Sequence, residues 1–256
     1  MINDAPFSQF GRMAFSLEAA LTAAIPLTLR LLESRDLEEG AKLVARGMRD
    51  NPANTRVFRI PDGEQRSMSM GRFFFPVLWG LYRRGLVLGA LRSNRLVGIC
   101  GMARPGFCQP RAMEKIAVLP GAVIGNPIST PLRISRWVGE WARRDARELH
   151  WHLGPVTVEP MLQGQGIGTA MLHAFCAVVD STGANAYLET DKVENVRLYQ
   201  RFGFTVMESA EVLGIPNWFM LRAAKAEAGM QSSLATGASG SPAGPTPHPT
   251  SQGASQ

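Results

Sequence analysis

A chain of 256 residues, 45% hydrophobic and 19% charged, is long enough to bury a sizeable core as one α/β domain with tails. Its net charge of +6 suits a small acidic ligand. The absence of a Lys/Arg-rich run or an interleaved aromatic stripe argues against a nucleic-acid groove. Cys100, Cys108 and Cys176 are odd in number and lack C-x-x-C spacing, which argues against a disulfide framework or a zinc site and for a reducing cytoplasm.

Residues 1–26 read as an N-terminal extension, with an amphipathic helix expected at 16–24 capped by Ser16. The apolar stretch from Met13 to Leu32 is interrupted by Glu18, Pro26 and Arg30, too often to span a membrane. It also lacks the basic start and clean apolar run of a secretory signal. The domain proper is expected at 27–227. It opens with a strand over 27–32, then a helix capped by Asp36 and running to Met48, with Leu37, Ala41 and Val44 or Ala45 inward. Residues 50–66 are polar and turn-rich. The next helix, 68–84, carries Phe73, Phe74, Phe75, Leu78, Trp79 and Tyr82, with Pro76 inside. Its apolar surface is wider than a core stripe and reads either as a buried helix or as an aromatic wall for an acceptor. A hairpin of strands 86–91 and 95–102 turns at Ser93-Asn94. Residues 104–131 show no period, as functional loops and tolerated insertions both do. A helix over 132–148 turns Ile134, Trp137, Val138 and Trp141 inward and Arg136, Arg143, Arg144 and Arg147 outward.

The chain is organised around 149–169. Val156, Thr157 and Val158 make a strand after Trp151, and Pro160 ends it because proline cannot donate to a ladder. Gln163-Gly164-Gln165-Gly166-Ile167-Gly168 follows. Ile167, Met171, Phe175 and Val178 then mark one face of a helix. Free amides and a positive dipole at a helix start, with glycines allowing close approach, suit a phosphate. A Walker loop is excluded because Gly-Lys-Ser/Thr is absent. The dinucleotide fingerprint is excluded because Thr169 stands where its last glycine would. Beyond lie a strand over 186–190, a helix placing Asn195 and Tyr199 on one face, a left-handed stop at Gly203, and closing strands 204–212 and 217–222 split by Gly214-Ile215-Pro216. The segment 228–256 has almost no apolar bulk and is expected to be disordered.

Gln163-x-x-Gly166-x-Gly168 after a Val-x-Val strand resembles the pyrophosphate loop of the GNAT N-acetyltransferase superfamily. The run Glu194-Asn195 through Tyr199 to Gly203-Phe204 is similar to that family's last block. His150-Trp151 and Leu188-Glu189-Thr190 look most like the puromycin N-acetyltransferase-type group. The resemblance covers 27–222 and is dense over 149–222.

It implies a mixed, mostly antiparallel central sheet flanked by helices, with splayed central strands holding acetyl-CoA. Backbone groups of the Val156-Thr157-Val158 strand would pair with the pantetheine arm. Gln163 and the amides of Gly164, Gln165, Gly166, Ile167, Gly168 and Thr169 would form the pyrophosphate loop. Asn195 would contact the cofactor and Tyr199 would be the general acid toward the CoA sulfur. Transfer in this family is direct, so the amine, with an ordinary pKa of roughly 10, needs a base. Glu189 is the first choice. Glu159 reads as a solvated carboxylate, and His150 and His152, projecting from one strand face, are bases or packed imidazoles. Cys176 reads as core. No metal is implied.

The resulting expectation is a cytoplasmic N-acetyltransferase, monomeric or homodimeric, without nucleic-acid or membrane partners, acting on a small-molecule primary amine. Protein lysine or N-terminal acetylation, and a non-catalytic CoA-binding domain, are the alternatives.

Overall fold

The computed structural model describes residues 26–225; the expectations for the N-terminal helix and the tail lie outside the described residues. Strand β1 (Thr28–Leu31) leads to α1 (Leu37–Met48). Asp36 does not cap α1 with its side chain. Its carboxylate accepts from Arg30, at 2.7 and 3.0 Å, and from the amide of Glu33 at 2.7 Å, so it closes the turn before the helix. Leu37, Ala41, Val44 and Ala45 are buried as their spacing predicts.

The stretch 50–66 is more ordered than its polarity suggests. It contains α2 (Pro52–Phe58), started by a proline at the first turn, where its missing N–H costs nothing. The polar residues mask an inward pair, Val57 and Phe58, that is fully buried. Helix α3 (Gly63–Arg84) begins at Gly63 rather than Met68, because Asp62 caps it by accepting from the Gln65 amide at 2.8 Å. It runs unbroken through Pro76. Phe73, Phe74 and Leu78 are buried, while Phe75, Trp79 and Tyr82 remain exposed.

Strands β2 (Gly85–Arg92) and β3 (Arg95–Ala103) form the expected hairpin. Ser93 and Asn94 both have positive φ, the geometry that matches the twist of paired strands. The aperiodic stretch holds two short helices, α4 (Ala112–Ala117) and α5 (Leu119–Val123). Helix α6 (Thr130–Arg144) then ends four residues earlier than expected: the Tyr187 hydroxyl donates to the Arg144 carbonyl at 2.8 Å, and the chain leaves helical geometry at Asp145. Arg144 is not a free surface charge, since it pairs with Glu140 and Glu208.

Then come β4 (His150–Val158), α7 (Ile167–Thr182), β5 (Asn185–Thr190), α8 (Val193–Gln200), β6 (Thr205–Val212) and β7 (Ile215–Arg222). The closing turn lies at Leu213-Gly214, both at positive φ, so Ile215 and Pro216 belong to β7. The sheet runs β1-β2-β3-β4-β5-β7-β6, antiparallel throughout except for the parallel pair β4/β5. One face packs against α1, α3 and α6 through residues such as Leu37, Phe73 and Trp137. The other packs against α7 and α8 through Ile167, Met171, Phe175 and Tyr199. This is the mixed, mostly antiparallel sheet between helices that the sequence implied. No helix among the described residues is long and apolar enough to cross a membrane.

Candidate active site

Strand β4 pairs with β3 along its length, from Ala103↔His152 to Gly98↔Val158. With β5 it pairs only at His150, Trp151 and His152. Past His152 the two central strands part, β5 continuing against β7 as far as Thr190↔Trp218. The β5-facing edge of β4 is therefore without a strand partner from Leu153 to Val158. Thr157 is buried there, and its Oγ1 lacks a hydrogen-bond partner among the described residues. Helix α1 lies close against this stretch. A Cβ on Gly47 would stand 2.1 Å from Thr157 Oγ1 and 2.9 Å from the Val158 carbonyl.

The glycine turn begins where β4 ends. The Gln163 side chain donates to the Val158 carbonyl at 3.2 Å, folding the turn back on its strand. Gly164 and Gly166 sit at φ of +77° and +79°, left-handed conformations in which a side chain is costly. Ala170 is the first amide to donate inside the helix, to the Gly166 carbonyl at 2.9 Å. The amides of Gly164, Gln165, Gly166, Ile167, Gly168 and Thr169 donate to no protein acceptor among the described residues. These amides open a 16-residue helix, the standard setting for an anion.

Two cations beside this turn escaped sequence reasoning. Arg92, buried at the end of β2, donates to Gln165 Oε1 at 2.7 Å. Arg46 of α1 donates to Glu159 at 2.9 Å, so Glu159 is a paired carboxylate rather than a solvated one. Only the hairpin and the α1 crossing bring these residues to the turn, and no local spacing announces either.

Asn195 and Tyr199 share α8 as expected, and the Asn195 amide donates to Thr190 Oγ1 at 3.2 Å. The Tyr199 ring is buried edge-on to Phe204, with centroids 5.9 Å apart. Its hydroxyl makes no side-chain hydrogen bond among the described residues, and burial raises the phenol's pKa above the ordinary value. Cys176 is buried in the core under α7.

Glu189 is deeply recessed, its side chain 3% exposed, with Oε2 3.0 Å from His152 Nε2. His150 projects from the same face, its ring 6.1 Å from that of His152, and both lie near Tyr187. Asp145, at the end of α6, and Cys108, in the loop after β3, complete the cluster. Burial opposes charge on both imidazoles, but their neighbours outweigh it. Asp145 and Cys108 push His150 up to about 10, and Glu189 and Cys108 raise His152 well above the ordinary histidine value. Burial likewise opposes the Cys108 thiolate, yet the two imidazoles bring that thiol down to about 7.

A cavity of about 980 Å³ opens between α1, α3 and α5, lined by Lys42, Arg46, Met68, Phe75, Trp79 and Ile124 among others. Neither Glu189, His152 nor Tyr199 lines it. Phe75 and Trp79 of α3 therefore line this outer groove and not the recess around Glu189.

A sequence profile of the acetyltransferase (GNAT) family matches residues 56–204. Among solved structures, the fold is similar to that described as histone acetyltransferase HPA2 and related acetyltransferase from Corynebacterium glutamicum, at 17% identity and a TM-score of 0.58, over 79% of this chain and 98% of that one. It is also similar to a Drosophila melanogaster polyamine N-acetyltransferase that catalyses formation of N-acetylagmatine, at 13% identity and a TM-score of 0.50, over 77% of this chain and 100% of that one. At such identities the likeness is one of fold.

Proposed function

We propose, from the premise that the chain belongs to the GNAT acetyltransferase family, that this acetyl-CoA-dependent N-acetyltransferase acts on the primary amine of a small molecule, a metabolite or an antibiotic-like compound. One observation carries the reading: β4 parts from β5 after His152 and runs on without it to Val158, into a turn whose amides have no protein acceptor among the described residues.

The unpaired edge of Val156, Thr157 and Val158 fits an amide-bearing chain laid alongside it, as the pantetheine arm would be. Gln163 shapes the turn, and the amides from Gly164 to Thr169 fit a pyrophosphate, with Arg92 behind Gln165 adding positive charge. Asn195, held by Thr190 at the end of β5, would contact the cofactor. Glu189 takes the proton of the ammonium through the oxygen not engaged by His152. The freed nitrogen lone pair attacks the thioester carbonyl and the C–S bond breaks. Tyr199 gives its phenolic proton to the leaving thiolate, and the second proton lost by the acylated nitrogen restores the phenol, leaving one proton on Glu189 to pass to solvent. A phenol that burial keeps protonated suits the transfer to the thiolate.

The recess of Glu189 favours an unhindered amine able to reach it, which supports a small acceptor over a protein surface. The likeness of His150-Trp151 and Leu188-Glu189-Thr190 to the puromycin-type group is part of the same proposal. So are a functional domain of 27–227, a monomeric or homodimeric state, and a cytoplasmic site of action, with which three free thiols agree.

Calorimetric titration of acetyl-CoA into the wild type and into a folded Gly166→Trp, Gly168→Trp double variant tests the donor site. Binding by the wild type alone is expected, and no binding by the folded wild type overturns the reading. Turnover of small amines but not of lysine-bearing or N-terminal peptides is expected in the acceptor panel; the reverse pattern replaces the small molecule with a protein.

A further inference from the structure

We propose that Cys108, His150, His152 and Asp145 form a binding site for a zinc-type divalent cation, beside the transfer centre and distinct from the donor site. One ligand atom from each of Cys108, His150 and His152 lies within 4.8 Å of the others. Asp145 Oδ1 is 3.1 Å from His150 Nε2 and 4.0 Å from His152 Nδ1. With zinc–ligand bonds of 2.0–2.3 Å, donor atoms of a tetrahedral site stand about 3.3–3.7 Å apart, so the set closes when Cys108 and Asp145 draw in toward the two rings. A thiolate, two imidazoles and a carboxylate are the borderline-soft ligands that zinc takes.

The hydrogen bonds point the same way. His150 Nδ1 meets the Glu148 carbonyl at 2.7 Å, an acceptor only, so Nδ1 keeps its proton and Nε2 is the nitrogen that a metal would take in place of a proton. His152 Nε2 faces the Glu189 carboxylate, which leaves Nδ1 for the metal in the same way. Outer nitrogens engaged by a carbonyl and a carboxylate, with inner nitrogens turned to a common centre, are the arrangement that orients metal-binding histidines. Although His150 Nε2 and Asp145 Oδ1 stand 3.1 Å apart as an ion pair, neither they nor His152 Nδ1, all buried, has a directed hydrogen-bond partner among the described residues. Leaving three such atoms buried and unsatisfied is costly, and one cation among them satisfies all three.

The charge balance agrees. The metal would take the place of the protons that the two rings carry, and the Asp145 and Glu189 carboxylates with a Cys108 thiolate would offset its charge. Binding would release the displaced ring protons and the thiol proton to solvent. The ion would tie the loop after β3 and the end of α6 to β4. Through the His152 ring it would also hold Glu189 in position.

The test uses full-length protein without a histidine tag, stripped with chelator and titrated with Zn²⁺ and, in parallel, with Co²⁺. The expected result is one zinc per chain and a cobalt spectrum with a thiolate charge-transfer band. Cys108→Ser, at a half-buried loop position, should remain folded, lose the band and bind zinc at least about tenfold more weakly. Cys176→Ser, whose thiol lies in the other core, should behave as wild type. Folded wild type that takes up no zinc overturns the site, as does a cobalt spectrum unchanged in Cys108→Ser. Because acetyl-CoA binding is read separately by calorimetry, failure of the metal site leaves the transferase reading standing, and the converse also holds.

Discussion

His152 Nε2 lies 3.0 Å from Glu189 Oε2, at the last residue of β4 that still pairs with β5. The contact fixes the direction of a carboxylate that stands just where the central strands separate, and it leaves the second oxygen unengaged by any described side chain. If that oxygen accepts the ammonium proton, Glu189→Gln should lower kcat/KM at neutral pH by about 10²-fold or more. The deficit should shrink as pH approaches roughly 10, where the amine deprotonates unaided. A pH–rate profile of both proteins checks this. A deficit of the same size at every pH would assign Glu189 a structural role instead.

Tyr199→Phe removes one hydroxyl that no described side chain bonds and keeps the ring packed on Phe204. Stability should therefore change little, while kcat falls by about 10²-fold or more through loss of the general acid. Acetyl-CoA affinity should be retained. Thermal melting, calorimetry and single-turnover rates separate these quantities, and a variant with wild-type kcat would remove Tyr199 from the chemistry.

The parts of the site legible in sequence are those whose members are neighbours along the chain. The strand, the turn at Gly164 and Gly166, and the Asn195–Tyr199 face each follow from local spacing, and each occupies its expected element. Arg92 and Arg46 reach the turn, and Gly47 reaches Thr157, only through sheet pairing and helix crossing, so no window of sequence contains these pairs together. The cluster of Cys108, Asp145, His150 and His152 was hidden for the same reason. Its thiol comes from a stretch with no period, and its carboxylate sits where α6 stops because Tyr187, distant in sequence, captures the Arg144 carbonyl. Helix α2 was missed because its polar surface outweighs Val57 and Phe58 in composition. The apolar width of α3 was legible but not its partner: Phe73 and Phe74 enter the core, while Phe75 and Trp79 line an outer groove.

Acid should destabilise the fold through Asp180. Its carboxylate bonds Arg222 and Lys225, each at 2.7 Å, and these partners hold it down at about 2, below its ordinary 3.8. A depressed folded-state value means that the stabilisation is fully present above the unfolded value and disappears as pH falls from about 4 through about 2. Urea midpoints of the wild type should therefore drop over that window more than those of Asp180→Asn, which has already lost the interaction at neutral pH. Equal drops would show that other carboxylates dominate acid unfolding.

Gly47 and Gly166 should respond to alanine in opposite ways. Gly47 lies in α1, where alanine's higher helix propensity favours the replacement by about 1 kcal/mol. A Cβ there, however, meets Thr157 Oγ1 at 2.1 Å and the Val158 carbonyl at 2.9 Å, and backbone cannot yield as a flexible side-chain end can. Overpacking of this kind costs about 1–3 kcal/mol, so Gly47→Ala should be destabilised on balance and α1 pushed off β4. At Gly166 no described residue lies within 4 Å of an added Cβ, and the cost is the left-handed backbone, about 1–2 kcal/mol. Its methyl would project from the start of α7 among amides that have no protein acceptor among the described residues. Acetyl-CoA affinity should thus fall in Gly166→Ala by more than its loss of stability explains. Chemical denaturation and calorimetry on both variants decide the matter. If Gly166→Ala binds acetyl-CoA as the wild type does, the pyrophosphate does not sit on this turn.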